Sequence, residues 1–185
     1  MFLFGHLGIG RQLAKPFAKR LPLLWLMVGT LLPDLIDKPL YYLLVLLTGK
    51  RGVDIGLISS SQTVGHTGIF LLGLLLFAFL RKSRVAAAIG LGVATHLFLD
   101  NFFEHIYSVD QSQLPSSLMA LLFPVFGVKF SVMPYSDFSQ HLASSTKAHI
   151  LWGEIVGLAL LFLQWRKEKH GFRTKGKRRT QTTLE

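Results

Sequence analysis

The chain contains no cysteine. Disulfides, thiolate metal sites and cysteine nucleophiles are therefore excluded, and any metal chemistry must use nitrogen and oxygen ligands. Charge is scarce as well. Only 16% of the 185 residues are Asp, Glu, Lys or Arg, against about a quarter in an average soluble domain. Acidic residues are the rarer kind, 10 against 20 basic ones. No internal repeat and no low-complexity linker is visible, which points to a single unit and away from the paired repeats of many transporters. The N-terminus does not read as a secretory signal: its apolar start holds His6 with Gly5 and Gly8, and no small-residue cleavage site follows.

What the chain has in place of charge is apolar length. Half of its residues are hydrophobic, its mean hydropathy is +0.44, and the apolar residues form runs rather than stripes. The expected fold is all-α, a polytopic membrane helical bundle in one domain over residues 1–165, followed by a basic, disordered cytoplasmic tail over 166–185. A helix needs roughly 17–20 residues to cross the hydrocarbon core. Residues 64–80, 85–103 and 148–165 meet that length, the last with Trp152 and Trp165 near its ends as interfacial anchors. Residues 21–47 are apolar for longer than one span requires, but PDLIDKP interrupts them. Pro33 and Pro39 bracket Asp34 and Asp37 there, so the expectation is a broken first helix: one helix to Leu32, a turn, then a second helix from Pro39. Residues 117–133 hold Pro124, Gly127 and Lys129 and suggest a re-entrant segment. Residues 5–20 form a short amphipathic stretch, suited to the interface or to packing as a first helix.

The formal net charge of +10 raises nucleic acid as a partner, but the distribution favours lipid. The basic excess lies largely in residues 166–179, directly after an apolar run, where it marks a cytoplasmic flank and attracts anionic lipid headgroups. No nucleic-acid partner is expected. Arg81, Lys82 and Arg84 mark a second cytoplasmic point, which gives a multi-pass plasma or inner membrane protein with a cytoplasmic C-terminus. That orientation puts His66, His96, Asp100, Asp34, Asp37 and Glu154 in one layer near the outer headgroups. An ionisable side chain at such depth is costly and usually faces protein or a wet cavity.

The sharpest local motif is His96-Leu-Phe-Leu-Asp100, whose two polar residues share one helix face. Together they can bind a metal, Asp100 can orient His96, or the pair can staple two helices. Asp34 and Asp37 repel each other unless a cation or a shared proton stabilises them; Asp37 reads equally well as an N-cap for a helix starting at Pro39. His66 opens a helix, with Thr67 beside it as a cap. Glu154 within an apolar span needs a partner, and is a candidate metal ligand or general base. His105 and His149 are reserve candidates.

In order along the chain, FGHLG, GTLLPD, GHT and THLFLD resemble the YdjM-type family of membrane-bound, metal-dependent hydrolases, itself compared with the zinc-dependent phospholipase C fold. The resemblance covers roughly the first hundred residues. It implies His6, Asp34, His66, His96 and Asp100 as metal ligands, with zinc as the expected cofactor. Two departures stand out. The second carboxylate follows at PD-x-x-D rather than PD-x-D, and SSSQTVGHT replaces a block that in the family carries a further His. One His fewer leaves a single-metal or degenerate site as the alternative to a larger cluster.

The expected function is a membrane-embedded metal-dependent hydrolase acting on a phosphoester or lipid-like substrate at the outer surface, with Asp100 or Glu154 as general base. The alternative is a non-enzymatic metal- or proton-binding membrane protein or small transporter, and a third reading makes the polar residues helix staples only. Gly90, Gly92 and Ala94 offer a close-approach surface for another helix, either internal or from a second subunit.

Overall fold

The structure, a computed structural model, describes residues 3–107, 115–132, 139 and 148–181. It is helical throughout, with no strand among the described residues. The helices are α1 (Leu3–Ala14), α2 (Leu23–Thr48), α3 (Gly68–Leu80), α4 (Arg84–Tyr107), the short α5 (Ser116–Leu121) and α6 (Ala148–Gln181). Two 3-10 turns, Gly52–Ile55 and Val64–His66, lie between α2 and α3.

Helix α4 is the hub, packing against α2, α3 and α1, while α1 is also held by α6. Small residues set these contacts. A Cβ on Gly29 would lie 2.2 Å from the carbonyl oxygen of Ile89, and one on Gly92 would lie 2.3 Å from that of Leu26. Backbone thus meets backbone where α2 crosses α4. At the crossing of α1 and α6 the same holds: a Cβ on Gly8 would lie 2.0 Å from Gly157 O. Small residues at a crossing let two helix backbones approach this closely. The close-approach surface of α4 is used within the chain, since Gly92 receives α2 and Gly90 receives Leu75 of α3. Ala14, Leu26 and Ala88 form a buried apolar cluster where α1, α2 and α4 meet.

Helix α2 is unbroken over 26 residues, with Pro33 and Pro39 both inside it. The expected turn between two helices is absent, and Asp37 is not the N-cap of a helix starting at Pro39, because it lies mid-helix. A proline removes one helical hydrogen bond and crowds the turn before it. At Pro33 the crowded group is the Gly29 carbonyl, and Pro33 itself is fully buried in the packing. Packing over the length of α2 therefore outweighs two lost bonds.

Helix α3 also departs from expectation. It starts at Gly68, not at Val64, and is 13 residues long. Thr67 is its N-cap, with Oγ1 accepting from Phe70 N at 3.1 Å. Among the described residues one helix, Arg84–Tyr107, is long and apolar enough to cross a membrane, with mean hydropathy 1.4. Helix α6 runs 34 residues and continues past Trp165 to Gln181, where a disordered tail was expected. Lys and Arg are good helix formers, and a nucleated helix extends at little cost. Residues 182–185 of that tail lie outside the described residues.

Helix α1 packs rather than lying free, with Gly5, His6, Gly8, Gly10 and Ala14 as its buried face. Beyond α5, residues 122–132 form turns, a bend and irregular chain; Met133, the end of the expected re-entrant segment, lies outside the described residues. Glu104 at the end of α4 anchors α5, accepting from Ser116 N and Ser117 N at 2.8 Å each.

Candidate metal centre

Five ionisable side chains from α1, α2, the second 3-10 turn and α4 converge in the interior. His6, His66 and His96 are essentially fully buried, and Asp100 is 9% exposed. Asp34 is the most open of the five, at 18%.

The ring orientations are held from behind. His96 Nδ1 lies 2.8 Å from the backbone carbonyl of Thr30. A carbonyl only accepts, so Nδ1 carries the proton and the lone pair of neutral His96 is on Nε2. His66 is held similarly, with Nδ1 2.7 Å from Asp37 Oδ2. A carboxylate behind an imidazole is the usual way to orient a metal-binding histidine and raise its basicity.

Both Nε2 atoms then face the same point. They are 3.2 Å apart. Asp100 Oδ2 lies 3.3 Å from His96 Nε2 and 3.6 Å from His66 Nε2. Asp34 Oδ1 lies 3.8 Å from His66 Nε2. Ligand atoms about 2.0–2.1 Å from a tetrahedral ion are separated by about 3.3 Å from one another. The observed spacings cluster about that value, so the donor set fits a divalent ion. Without a cation, the two Nε2 lone pairs would repel unless one ring carried a second proton.

His6 completes the group differently. It stacks on His96, centroids 4.0 Å apart, and its Nε2 lies 3.2 Å from Asp100 Oδ1. Neither ring nitrogen makes a well-directed hydrogen bond, although both are buried, a costly state for an imidazole. Asp100 thus turns one oxygen to His6 and the other to His66 and His96. Two overlapping trios could hold a metal ion: His6, His96 and Asp100, and Asp34, His66 and His96.

Asp37 stands behind His66 and is fully buried. Besides the imidazole it accepts from the backbone N–H groups of Thr63 at 2.7 Å, Gly65 at 2.9 Å and His66 at 3.3 Å. Those bonds fold residues 63–66 into the 3-10 turn that aims His66 inward, and they delay the start of α3. Glu154 lies away from the cluster. It clamps the start of α1, accepting from Phe4 N at 2.8 Å and Gly5 N at 2.9 Å, just before His6. His105 is exposed at the end of α4, and the side chain of His149 lies outside the described residues.

Two participants are not obvious from sequence. Thr30 acts through its carbonyl, which no side-chain pattern reveals. Lys38 reaches back one helical turn to Asp34, Nζ to Oδ2 at 2.5 Å, and is 31% exposed. Its signal is the Asp-to-Lys spacing of four in DLIDK, which puts both on one helix face. Together they form the open edge of an otherwise closed site. Neither family models, curated proteins nor solved structures gave a match to the chain.

Proposed function

We propose that this protein is a membrane-embedded, metal-dependent hydrolase whose ligands are His6, Asp34, His66, His96 and Asp100. The observation that carries the reading is the 3.2 Å approach of two imidazole Nε2 atoms whose Nδ1 atoms are both engaged elsewhere. The resemblance to the YdjM-type family adds support through the same five residues. A divalent ion such as zinc would supply Lewis acidity towards a phosphoryl or carbonyl oxygen and make water acidic enough to react near neutral pH.

The chain's own groups supply the rest. Asp37 and the Thr30 carbonyl orient His66 and His96. Asp100 joins His6 to the other two rings and is the base best placed at the centre of the cluster. Glu154 acts at one remove, as a positioning residue that fixes the start of α1 and so His6. Asp34 and Lys38 guard the opening, and the Lys38 ammonium is placed to draw in an anionic group. That favours a phosphoester over a neutral ester.

A multi-pass membrane setting is part of this reading. Large apolar side chains face outward along several helices: Leu24 69%, Leu46 80%, Leu72 66%, Phe79 79%, Trp152 66% and Phe162 52% exposed. Water-soluble proteins rarely expose so much contiguous apolar surface. The basic residues around Arg81 and after Trp165 would face the cytoplasm, which places the cluster toward the outer side.

The test is metal content of the detergent-purified chain by elemental mass spectrometry, beside the double variant Asp34→Ala/His96→Ala. Stoichiometric zinc, manganese or iron is expected, and its loss in the variant. A chain that stays metal-free after reconstitution with excess ions would sink the hydrolase reading and leave helix staples or a proton path.

A further inference from the structure

A second polar feature lies at the other end of the bundle. A cavity of about 440 Å³ opens where the end of α1, the α1–α2 connection, the start of α2 and α6 meet. Four cationic residues line it: Arg11, Lys15 and Lys19 from the first segment and Lys167 from α6. Among the described residues, none that lines it is acidic. Arg11 is engaged in an interaction of its own; Lys15, Lys19 and Lys167 bring three further like charges to one cavity, which repel one another and are stabilised by an anion.

Two further observations point the same way. The cavity lies at the N-terminus of the 26-residue α2, where Leu23 is a lining residue and Pro22 precedes the helix without a capping side chain. The first N–H groups of a long helix, uncapped, form the positive end of its dipole and receive anions. Gln164 also lines the cavity, and its Oε1 is buried without a hydrogen-bond partner. Rotating that amide would offer its NH₂ to an oxyanion. Apolar Ala18, Leu23 and Leu26 form the rest of the wall, a poor surface for a fully hydrated ion but a good one for the glycerol end of a lipid.

We propose that this cavity is a binding site for a phosphate-bearing group, supplied by the headgroup of an anionic phospholipid. It is separate from the metal cluster: Leu23 and Asp34 are eleven residues apart on α2, about 16 Å along the axis. The phosphate chemistry stands on the lining residues, whereas the lipid source rests on the membrane reading above. In that reading the cavity opens at the cytoplasmic leaflet, where anionic lipid is concentrated and basic pockets between helices hold such headgroups.

The test is native mass spectrometry of the full chain in detergent, titrated separately with phosphatidylglycerol, phosphatidylcholine and inorganic phosphate. Phosphatidylglycerol is expected to bind at least tenfold more tightly than phosphatidylcholine. The variant Lys15→Gln/Lys19→Gln/Lys167→Gln should weaken it tenfold or more, and Lys15→Arg/Lys19→Arg/Lys167→Arg should retain it. Ala18→Trp keeps every charge but fills the cavity, and it should also abolish binding; an unfolding midpoint near that of the wild type shows the variants are folded. Unchanged binding in Ala18→Trp would overturn the site in favour of diffuse surface charge. Equal loss in Arg178→Gln/Arg179→Gln would overturn it in favour of the tail. Phosphate bound as tightly as the lipid would overturn the lipid source. Metal content should be unaffected in all of these variants, so failure here is distinct from failure of the hydrolase reading.

Discussion

Asp34 and Asp37 show how far three residues can separate two like side chains. Asp34 faces the opening and is shared between His66 and Lys38; Asp37 is sealed and spends both oxygens on the turn that carries His66. Replacing Asp37 by Asn keeps the shape but removes the charge behind the imidazole. Metal affinity should fall by about 10- to 100-fold, read by competition with a chelator of known affinity. Asp37→Ala goes further, leaving buried N–H groups of Thr63 and Gly65 without their acceptor. Each such group costs about 1–3 kcal/mol, so the unfolding free energy should drop by about 3 kcal/mol or more in denaturant titration. If Asp37→Asn binds metal as the wild type does, the orienting role assigned to this carboxylate is wrong.

At the scale of elements, the bundle depends on glycines more than on large side chains. Gly92→Leu would drive a side chain into the backbone of α2, where even a Cβ would lie 2.3 Å from Leu26 O. Overpacking of this kind costs about 1–3 kcal/mol or more, and here it also separates Thr30 from His96. Both stability and metal content should fall. Gly73 in α3 is the control, since a Cβ there meets nothing within 4 Å; Gly73→Ala should be neutral or stabilising by about 0.4–1 kcal/mol. Equal effects at both positions in a thermal unfolding series would contradict the packing account. Glu154→Ala tests the clamp on α1. Losing two hydrogen bonds to a charged acceptor should cost about 1.5–3 kcal/mol each and lower metal occupancy only in part, because four of the five ligands are on other elements.

For the whole molecule, the decisive matter is whether its exposed apolar faces meet lipid, as the proposed membrane setting requires. The absence of cysteine makes this directly measurable, because single substitutions report alone. Arg81→Cys lies between α3 and α4 and Leu57→Cys in the connection before α3, and both positions are exposed. In sealed, right-side-out membranes an impermeant thiol reagent should label Leu57→Cys at once and Arg81→Cys only after permeabilisation. Labelling of both in intact membranes would overturn the proposed topology, and with it the outer placement of the metal cluster.

Composition and patterning alone determined that this chain is helical, poor in charge and limited, for any metal site, to nitrogen and oxygen ligands, because those properties depend on which residues are present and how apolar runs are spaced. The motif H-x-x-x-D was legible for the same reason: four residues is one helical turn wherever the helix lies. Tertiary structure decided the rest. Whether PDLIDKP breaks a helix depends on what α2 packs against, since local proline cost competes with contacts made to α4, far away in sequence. Whether Asp37 or Asp34 faces the cluster depends on residues 63–66 reaching one of them. The place of Glu154 depends on where α1 crosses α6, and the role of Thr30 rests on a backbone carbonyl that every residue possesses. Spacing along the chain identifies residues that share a face; only the packing of one helix on another says what that face meets.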